Sequence, residues 1–276
     1  IRLLIIRSMI HLSLYRYFHQ VVLRCLWVLL LATPLPIVLF YVLPNTFVVN
    51  IFICVICVFM MLLFSYFVGL TVNEKVYFEK NCITNHLEIF TYCGSRAAIV
   101  TGKHSAKASG ALDDVTNVLK NAGIAYEVYD SVENNPSIET VEDITEKVKA
   151  FKANFIIGIG GGSPIDASKA IAVLAANEMH AADLFTKALP IVAIPITSGT
   201  GSEVTPYSVL LRKDMETKVS FGNSLTYPAY ALLDPGYTVS MNDKTTVSTL
   251  IDAFTHVMEG YLAKRSTIFS TMMSLE

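Results

Sequence analysis

Before Glu74 the sequence contains no aspartate, no glutamate and no lysine, and its only charged side chains there are Arg2, Arg7, Arg16 and Arg24. An ordinary water-soluble domain carries about a quarter of its residues charged, with both signs represented. That excludes the N-terminal stretch as a normal globular unit. Charge is scarce overall as well: 16% of residues against 53% hydrophobic, with a mean hydropathy of +0.50. The averages hide a step, because after Glu74 the composition is that of an ordinary cytosolic protein. The formal net charge of −2 and a pI near 6.3 give no support to a polyanion-binding role, so no nucleic-acid partner is expected. A disulfide framework is missing too. Of the five cysteines (Cys25, Cys54, Cys57, Cys82, Cys93), Cys54 and Cys57 form a C-x-x-C, but it lies inside IFICVICVFMMLL with no second ligand pair nearby. A zinc or redox motif needs a polar, accessible setting, so these two read as apolar filler. Reduced thiols fit a cytoplasmic catalytic part.

Two long uncharged stretches occupy the N-terminal region, Cys25 to Leu43 and Thr46 to Leu70. Each is long enough as a helix to cross a hydrocarbon core of about 30 Å, although Pro34, Pro36 and Pro44 interrupt or end the first. All four arginines precede them, which would place the N-terminus in the cytoplasm and return the chain there after a hairpin turning at Pro44-Asn45. The competing reading is an artefactual or unrelated extension: the chain opens on Ile1, and the segment has neither helical caps nor a repeating pattern. Residues 1–71 are therefore either a membrane anchor through 25–70 or an artefactual or unrelated extension.

From residue 72 the pattern alternates. Short apolar runs at Ala97–Thr101, Ala125–Tyr129, Asn154–Ile159 and Pro190–Ile196 read as strands of a buried parallel sheet. Between them, Ala108–Ala122, Ser137–Ala153 and Pro164–Asn177 read as helices, the first two with apolar residues three and four apart. Such alternation predicts an α/β, Rossmann-like parallel sheet with helices on both faces, with ligand at the C-terminal strand ends. After Asp234-Pro235 the alternation stops, and Lys244–Lys264 reads as the first helix of an all-helical domain. The expected divisions are 1–71, 72–240 and 241–276.

Three constellations carry chemistry. Gly160-Gly161-Gly162-Ser163-Pro164-Ile165-Asp166 follows a buried strand and opens a helix. Its glycines admit close backbone approach, Ser163 suits an N-cap with Asp166 completing an S-x-x-D box, and a helix N-terminus attracts phosphate. A tight strand-to-helix turn with no ligand would look the same. The second is Thr197-Ser198-Gly199-Thr200-Gly201-Ser202-Glu203-Val204-Thr205, glycines interleaved with hydroxyls that can donate to phosphate or ribose. The third is Asp252-Ala253-Phe254-Thr255-His256, with Glu259 further on. Asp252 and His256 share a helix face and offer a carboxylate and an imidazole, donors that suit zinc or ferrous iron, though a surface hydrogen bond would use the same pair.

From about Val76 onward, TYCGSRAAIVTGK, the ENNPS of residues 133–137, GGGSPIDASKAIAVL, PITSGTGSEVTPYSV, ALLDPGYTVSM and IDAFTHVMEGYL together resemble the iron-containing (group III) alcohol dehydrogenase family. The resemblance implies a Rossmann-like domain followed by a helical, metal-binding domain with the active site between them. It implies that Gly161, Gly162 and Ser163 hold a cofactor diphosphate, that Asn135, Thr197 and Thr205 line the same groove, and that Lys218 reaches it. Many family members carry an acidic residue after the first strand to bind the adenosine ribose. Here that position is Gly102, followed by Lys103, so a 2′-phosphate meets no repulsion and has a partner. The expected cofactor is NADP, with NAD as the alternative.

Asp252 and His256 match the family's first two ligands for a divalent metal, Fe²⁺ or Zn²⁺. The two further histidines implied by the family do not occur before Glu276. For His11, His19, His86, His104 and His180 the reading is a solvated or hydrogen-bonded side chain. The expectation is hydride transfer between a nicotinamide cofactor and a small alcohol or aldehyde, in an intact family member that is a homo-oligomer, with no turnover from this chain alone. Two alternatives remain: a non-catalytic nucleotide-binding or membrane-tethered module, and a related metal-dependent lyase or polyol dehydrogenase.

Overall fold

The computed structural model describes Ile56 and residues 75–177, 186–264 and 266–275. The chain divides into two compact units, Ile1–Asn73 and Glu74–Glu276, and the description below concerns the second. The two hydrophobic stretches, Ile56 apart, and the Cys54–Cys57 pair lie outside the described residues. Among the described residues no helix is long and apolar enough to cross a membrane.

The described strands are β1 (Lys75–Phe78), β2 (Arg96–Thr101), β3 (Ala125–Tyr129), β4 (Phe155–Gly160), β5 (Ile191–Pro195), β6 (Ser208–Arg212), β7 (Thr217–Phe221) and β8 (Tyr230–Leu233). The α-helices are α1 (Cys82–Asn85), α2 (Glu88–Cys93), α3 (Ser105–Ala108), α4 (Ala111–Asn121), α5 (Ile138–Phe151), α6 (Gly162–Ala176), α7 (Asp243–Leu262) and α8 (Ile268–Leu275). Six strands form one sheet in the order β1-β8-β5-β4-β2-β3, and every pairing in it is parallel. β6 and β7 form a separate antiparallel hairpin. The predicted α/β, Rossmann-like class therefore holds.

Side chains alternate across the pleat, and the sheet uses both faces. Ala97 and Ile99 of β2, Phe155, Ile157 and Ile159 of β4, and Val192 and Ile194 of β5 pack with Cys82, Ile83, Ile89, Phe90, Val115 and Leu119 from α1, α2 and α4. Ala98, Val100, Ile156 and Ile191 point the other way, onto Val141, Ile144 and Val148 of α5 and Ala167, Ala170 and Ile171 of α6. Burial on both faces explains why β2, β4 and β5 read as continuous apolar runs rather than as alternating ones.

The predicted elements recur with shifted ends. The helix expected over 108–122 begins later, as α4 at Ala111, because Gly110 in its cap position has a φ of 86° that breaks the helical path; the short α3 precedes it. Ser137, expected as the first helical residue, instead caps α5, its hydroxyl accepting from the Thr140 N–H. Ser163 does not cap α6. The helix begins earlier, with Gly161 in the cap position and no side-chain cap bond, so the S-x-x-D box predicted from the sequence is not formed. The reason lies in Asp166, which spends its carboxylate elsewhere, as described below. The C-terminal segment holds two helices rather than one, α8 following α7.

Candidate functional site

The chain runs from β2 outward to β3, then returns past β2 to β4 and continues to β5. The direction of winding therefore reverses between β2 and β4, and in an open parallel sheet the crevice beyond that reversal is where ligands collect. Thr101 pairs with Ile159, so Gly102 and the Gly160–Ser163 turn sit side by side at the C-terminal ends of these strands. Gly160 pairs with Pro195, which brings the Thr197–Thr205 loop in on the other side. The sequence motifs thus converge at one edge because of strand order alone.

Glycines set the closeness of this arrangement. A Cβ on Gly158 would lie 2.6 Å from Ser168 Oγ, so α6 packs directly on β4. Gly160 has φ +154°, and a Cβ there would meet the Pro164 ring at 2.5 Å; only glycine lets the chain leave the strand and enter α6 at this angle. Gly161 faces Thr197, whose Oγ1 would be 3.1 Å from an added Cβ, and Gly162 faces Thr200 at the same distance. The two glycine-rich loops therefore lie against one another with bare backbone between them. Gly102 is different. A Cβ there would find Val132 O at 3.4 Å and Ser105 Oγ at 3.8 Å, ordinary contact, so sterics do not demand glycine at this position.

Asn135 joins the group from the β3–α5 connection. It takes a left-handed φ of 55°, and its N–H donates to Ser163 Oγ at 3.2 Å, leaving the Ser163 hydroxyl proton available to another acceptor. The same loop is fixed by Glu133, whose Oε1 accepts from the Ser137 N–H at 3.0 Å and from Thr140 Oγ1 at 2.8 Å. Burial by itself would raise the Glu133 carboxyl, but these hydrogen bonds and those within its own backbone outweigh it and hold the group below the usual carboxylate range. Thr205 is half-buried just after the short 3₁₀ turn Ser202–Val204. Lys218 is exposed on β7, where it pairs with Leu211 of β6, and its side chain makes no hydrogen bond or ion pair with the described residues. Lys103 is exposed beside Gly102.

Beneath the loops lies a network that the sequence reading missed. Lys169 of α6 is fully buried. Its Nζ donates to Ser202 Oγ at 2.8 Å and to the Tyr207 carbonyl at 2.7 Å, and stands 3.4 Å from Asp166 Oδ1. Asp166 also accepts from the Ser202 hydroxyl and, at 3.0 Å, from the Val209 N–H. Burial pulls the Lys169 ammonium down, with Asp166 and Glu203 resisting, while burial pushes Glu203 up against the pull of Lys169. The pair ties α6 to the second glycine-rich loop and to β6, which holds the two loops in register. The sequence did carry the signal: α6 is apolar on nearly every side, a pattern that marks a buried helix, and a lysine inside it must find partners.

The two motif-matched metal ligands lie apart from this packing. Asp252 Oδ2 and His256 Nε2 are 3.8 Å apart on α7, with side chains 45% and 59% exposed. None of the residues of α7 is fully buried. Among the described residues no third carboxylate, imidazole or thiolate converges on this pair. α7 nevertheless touches the second glycine-rich loop: a Cβ on Gly199 would meet the Thr249 carbonyl, so that loop passes tightly against α7.

Comparison with known proteins matches the geometry. The family model for iron-containing alcohol dehydrogenase matches residues 73–235. The long-chain primary alcohol dehydrogenase AdhA of Thermoanaerobacter ethanolicus is 36% identical over 202 residues, covering 70% of this chain and 51% of the relative. The NADPH-dependent butanol dehydrogenase of Clostridium saccharobutylicum is 33% identical over 216 residues, covering 75% and 55%. The crystal structure of an iron-containing alcohol dehydrogenase from Thermotoga maritima superposes with a TM-score of 0.68 at 40% identity, over 74% of this chain and 57% of that one. The chain spans about half the length of the curated relatives it matches. With the motifs in order at the reversal of strand winding, the chain belongs to the iron-containing alcohol dehydrogenase family.

Proposed function

We propose that residues 72–240 are the dinucleotide-holding part of a metal-dependent alcohol dehydrogenase, and that residues 241–276 begin its metal-binding part. The observation that carries this reading is the placement of Gly102 and Gly160–Ser163 on adjacent strand ends at the reversal of the sheet. When bound, the nicotinamide supplies the hydride donor or acceptor and a divalent ion, Fe²⁺ or Zn²⁺, supplies Lewis acidity toward an alcohol or aldehyde oxygen. The chain's own residues do the positioning. The N-terminus of α6, with Gly161 and Gly162 free of side chains, directs N–H groups at a diphosphate. The Ser163 hydroxyl donates to it while accepting from Asn135, and Thr197 and Thr205 supply further hydroxyls. Lys218 of β7 supplies positive charge to the same groove. Asp252 and His256 give two of the metal's donors.

NADP is the proposed cofactor. Gly102 presents no carboxylate to a ribose 2′-phosphate, and Lys103 stands next to it. Because an added Cβ at Gly102 meets only ordinary contacts, Gly102→Asp is tolerated and places a negative charge where the phosphate would sit. NADPH affinity is expected to fall by about tenfold or more, with NADH affected far less, since opposed like charges cost on the order of kcal/mol. Equal affinities for the two cofactors before and after the substitution would overturn the assignment.

The open pair Asp252–His256, with no third donor converging among the described residues, favours a second statement. This chain by itself binds nucleotide without turning over. Purified chain assayed for NADPH-linked reduction of a short-chain aldehyde with added Fe²⁺ or Zn²⁺ is expected to show no metal-dependent rate; sustained metal-dependent turnover would contradict it.

A further inference from the structure

The structure assigns a second, unrelated cation site to Glu79, Cys82 and His86, at the point where β1 hands over to α1. This proposal is independent of the alcohol dehydrogenase reading. One ligand atom from each residue, a carboxylate oxygen, a thiol sulfur and an imidazole nitrogen, lies within 4.8 Å of the other two. Cys82 and His86 stand four apart across α1 and its cap, so helical geometry puts them on one face. Glu79 reaches the same point from the end of β1, its Oε1 2.8 Å from His86 Nε2.

The surroundings are those of ligands held in place by neighbours. His86 presents its other nitrogen, Nδ1, to Glu88 Oε1 at 3.5 Å, the carboxylate–imidazole pairing that orients metal-bound histidines. Asn85 Nδ2 donates to Glu79 Oε1 at 3.2 Å. The Tyr77 ring lies 4.1 Å from the His86 ring, and Cys82 Sγ sits 3.6 Å from the Tyr77 carbonyl. A neutral imidazole has one ring proton and so cannot donate to Glu79 and Glu88 together. A cation held between Nε2 and Glu79 leaves Nδ1–H to face Glu88.

The donor set of one sulfur, one nitrogen and one oxygen suits Zn²⁺ or Co²⁺ with a water as fourth ligand, not Mg²⁺ or Ca²⁺. Cys82 is buried, His86 half-buried and Glu79 exposed, a gradient that leaves an entry path from solvent. Such an ion would lash the exit of β1 to α1. Among the described residues β1 pairs only with β8, and the neighbouring Asn81 N–H already bonds to Asp234 at the end of β8 at 2.5 Å.

Titration of the full, reduced chain with Co²⁺ reads this site directly, because a thiolate ligand adds a near-ultraviolet charge-transfer band that the oxygen and nitrogen donors of Asp252 and His256 cannot produce. The expected result is a band that saturates, is displaced by Zn²⁺, and persists in the Asp252→Asn/His256→Gln double variant. It is lost in Cys82→Ser and needs at least about tenfold more Co²⁺ in Glu79→Gln and in His86→Gln. Glu79→Gln changes an exposed side chain, so it decides the matter even where Cys82→Ser fails to fold. No band in the unaltered chain, a band that survives Cys82→Ser, or full affinity in Glu79→Gln and His86→Gln would each overturn the proposal.

Discussion

The glycine-rich loops and the Asp252–His256 pair on α7 were recognised by the same kind of signal, a short motif at the right spacing, yet they stand on different footings. Around β4 and β5 the loops are held by their neighbours: Ser163 by Asn135, the second loop through Ser202 by Lys169 and Asp166, and α6 by close packing on Gly158. On α7 the motif pair Asp252 and His256 is open, and Leu250, Ile251, Phe254 and Leu262 are all more than half exposed. A binding site is functional when its ligands are fixed before the ligand arrives. By that measure the glycine-rich loops are held in place and the Asp252–His256 pair is not, which is why the proposed function assigns cofactor binding, and no turnover, to this chain alone.

The contrast can be broken most sharply with matched aromatic deletions. Phe155, fully buried under the sheet, should cost about 3–5 kcal/mol on substitution to Ala by the cavity it leaves. Phe254, 62% exposed, should cost within about 0.5 kcal/mol. Chemical denaturation of both variants checks this, and equal losses would mean that α7 is as well packed as the sheet. Next in size is Lys169→Met, which strands Asp166 without its cation; removal of one partner of a buried pair costs about 3–5 kcal/mol at the upper end. Here the expected fingerprint is a loss of NADPH affinity that remains when the variant is stabilised by osmolyte, because Ser202 and its loop have lost their anchor.

The smallest effect concerns acid. Glu133 is held below its ordinary range in the folded chain, so its contribution to stability is fully present above the unfolded carboxylate pKa of about 4.3 and is lost as pH falls through the lower, folded value. Glu133→Ala should therefore lower stability by about 1–3 kcal/mol at neutral pH and make the acid limb of the stability curve shallower. An unchanged acid limb would show that the Asn135 loop is held by something else.

What could be read from the sequence, and what could not, follows the same division. Strands such as AAIVT and NFIIGI announced themselves because parallel strands covered on both faces are uniformly apolar and end in glycine. α4 and α5 did so through apolar residues at helical spacing. The β6–β7 hairpin was not legible, since it is half-exposed and TKVSF has no apolar run to mark it. Asp166 was misread as a capping residue because its spacing from Ser163 fits a capping box, whereas the partners it chose, Ser202 and Val209, lie more than thirty positions away. Glu79, Cys82 and His86 went unrecognised for a related reason. No familiar ligand spacing joins them, and only the turn from β1 into α1 brings the carboxylate back onto the helix face.

Calorimetric titration of NADPH and NADH into the purified chain tests the central claim most directly. The account predicts that NADPH binds more tightly than NADH, that Gly162→Val removes binding by filling the gap opposite Thr200, and that Asp252→Ala with His256→Ala leaves it intact. Failure of the chain to bind either cofactor, or binding that survives Gly162→Val while vanishing with the Asp252 and His256 substitutions, would contradict it.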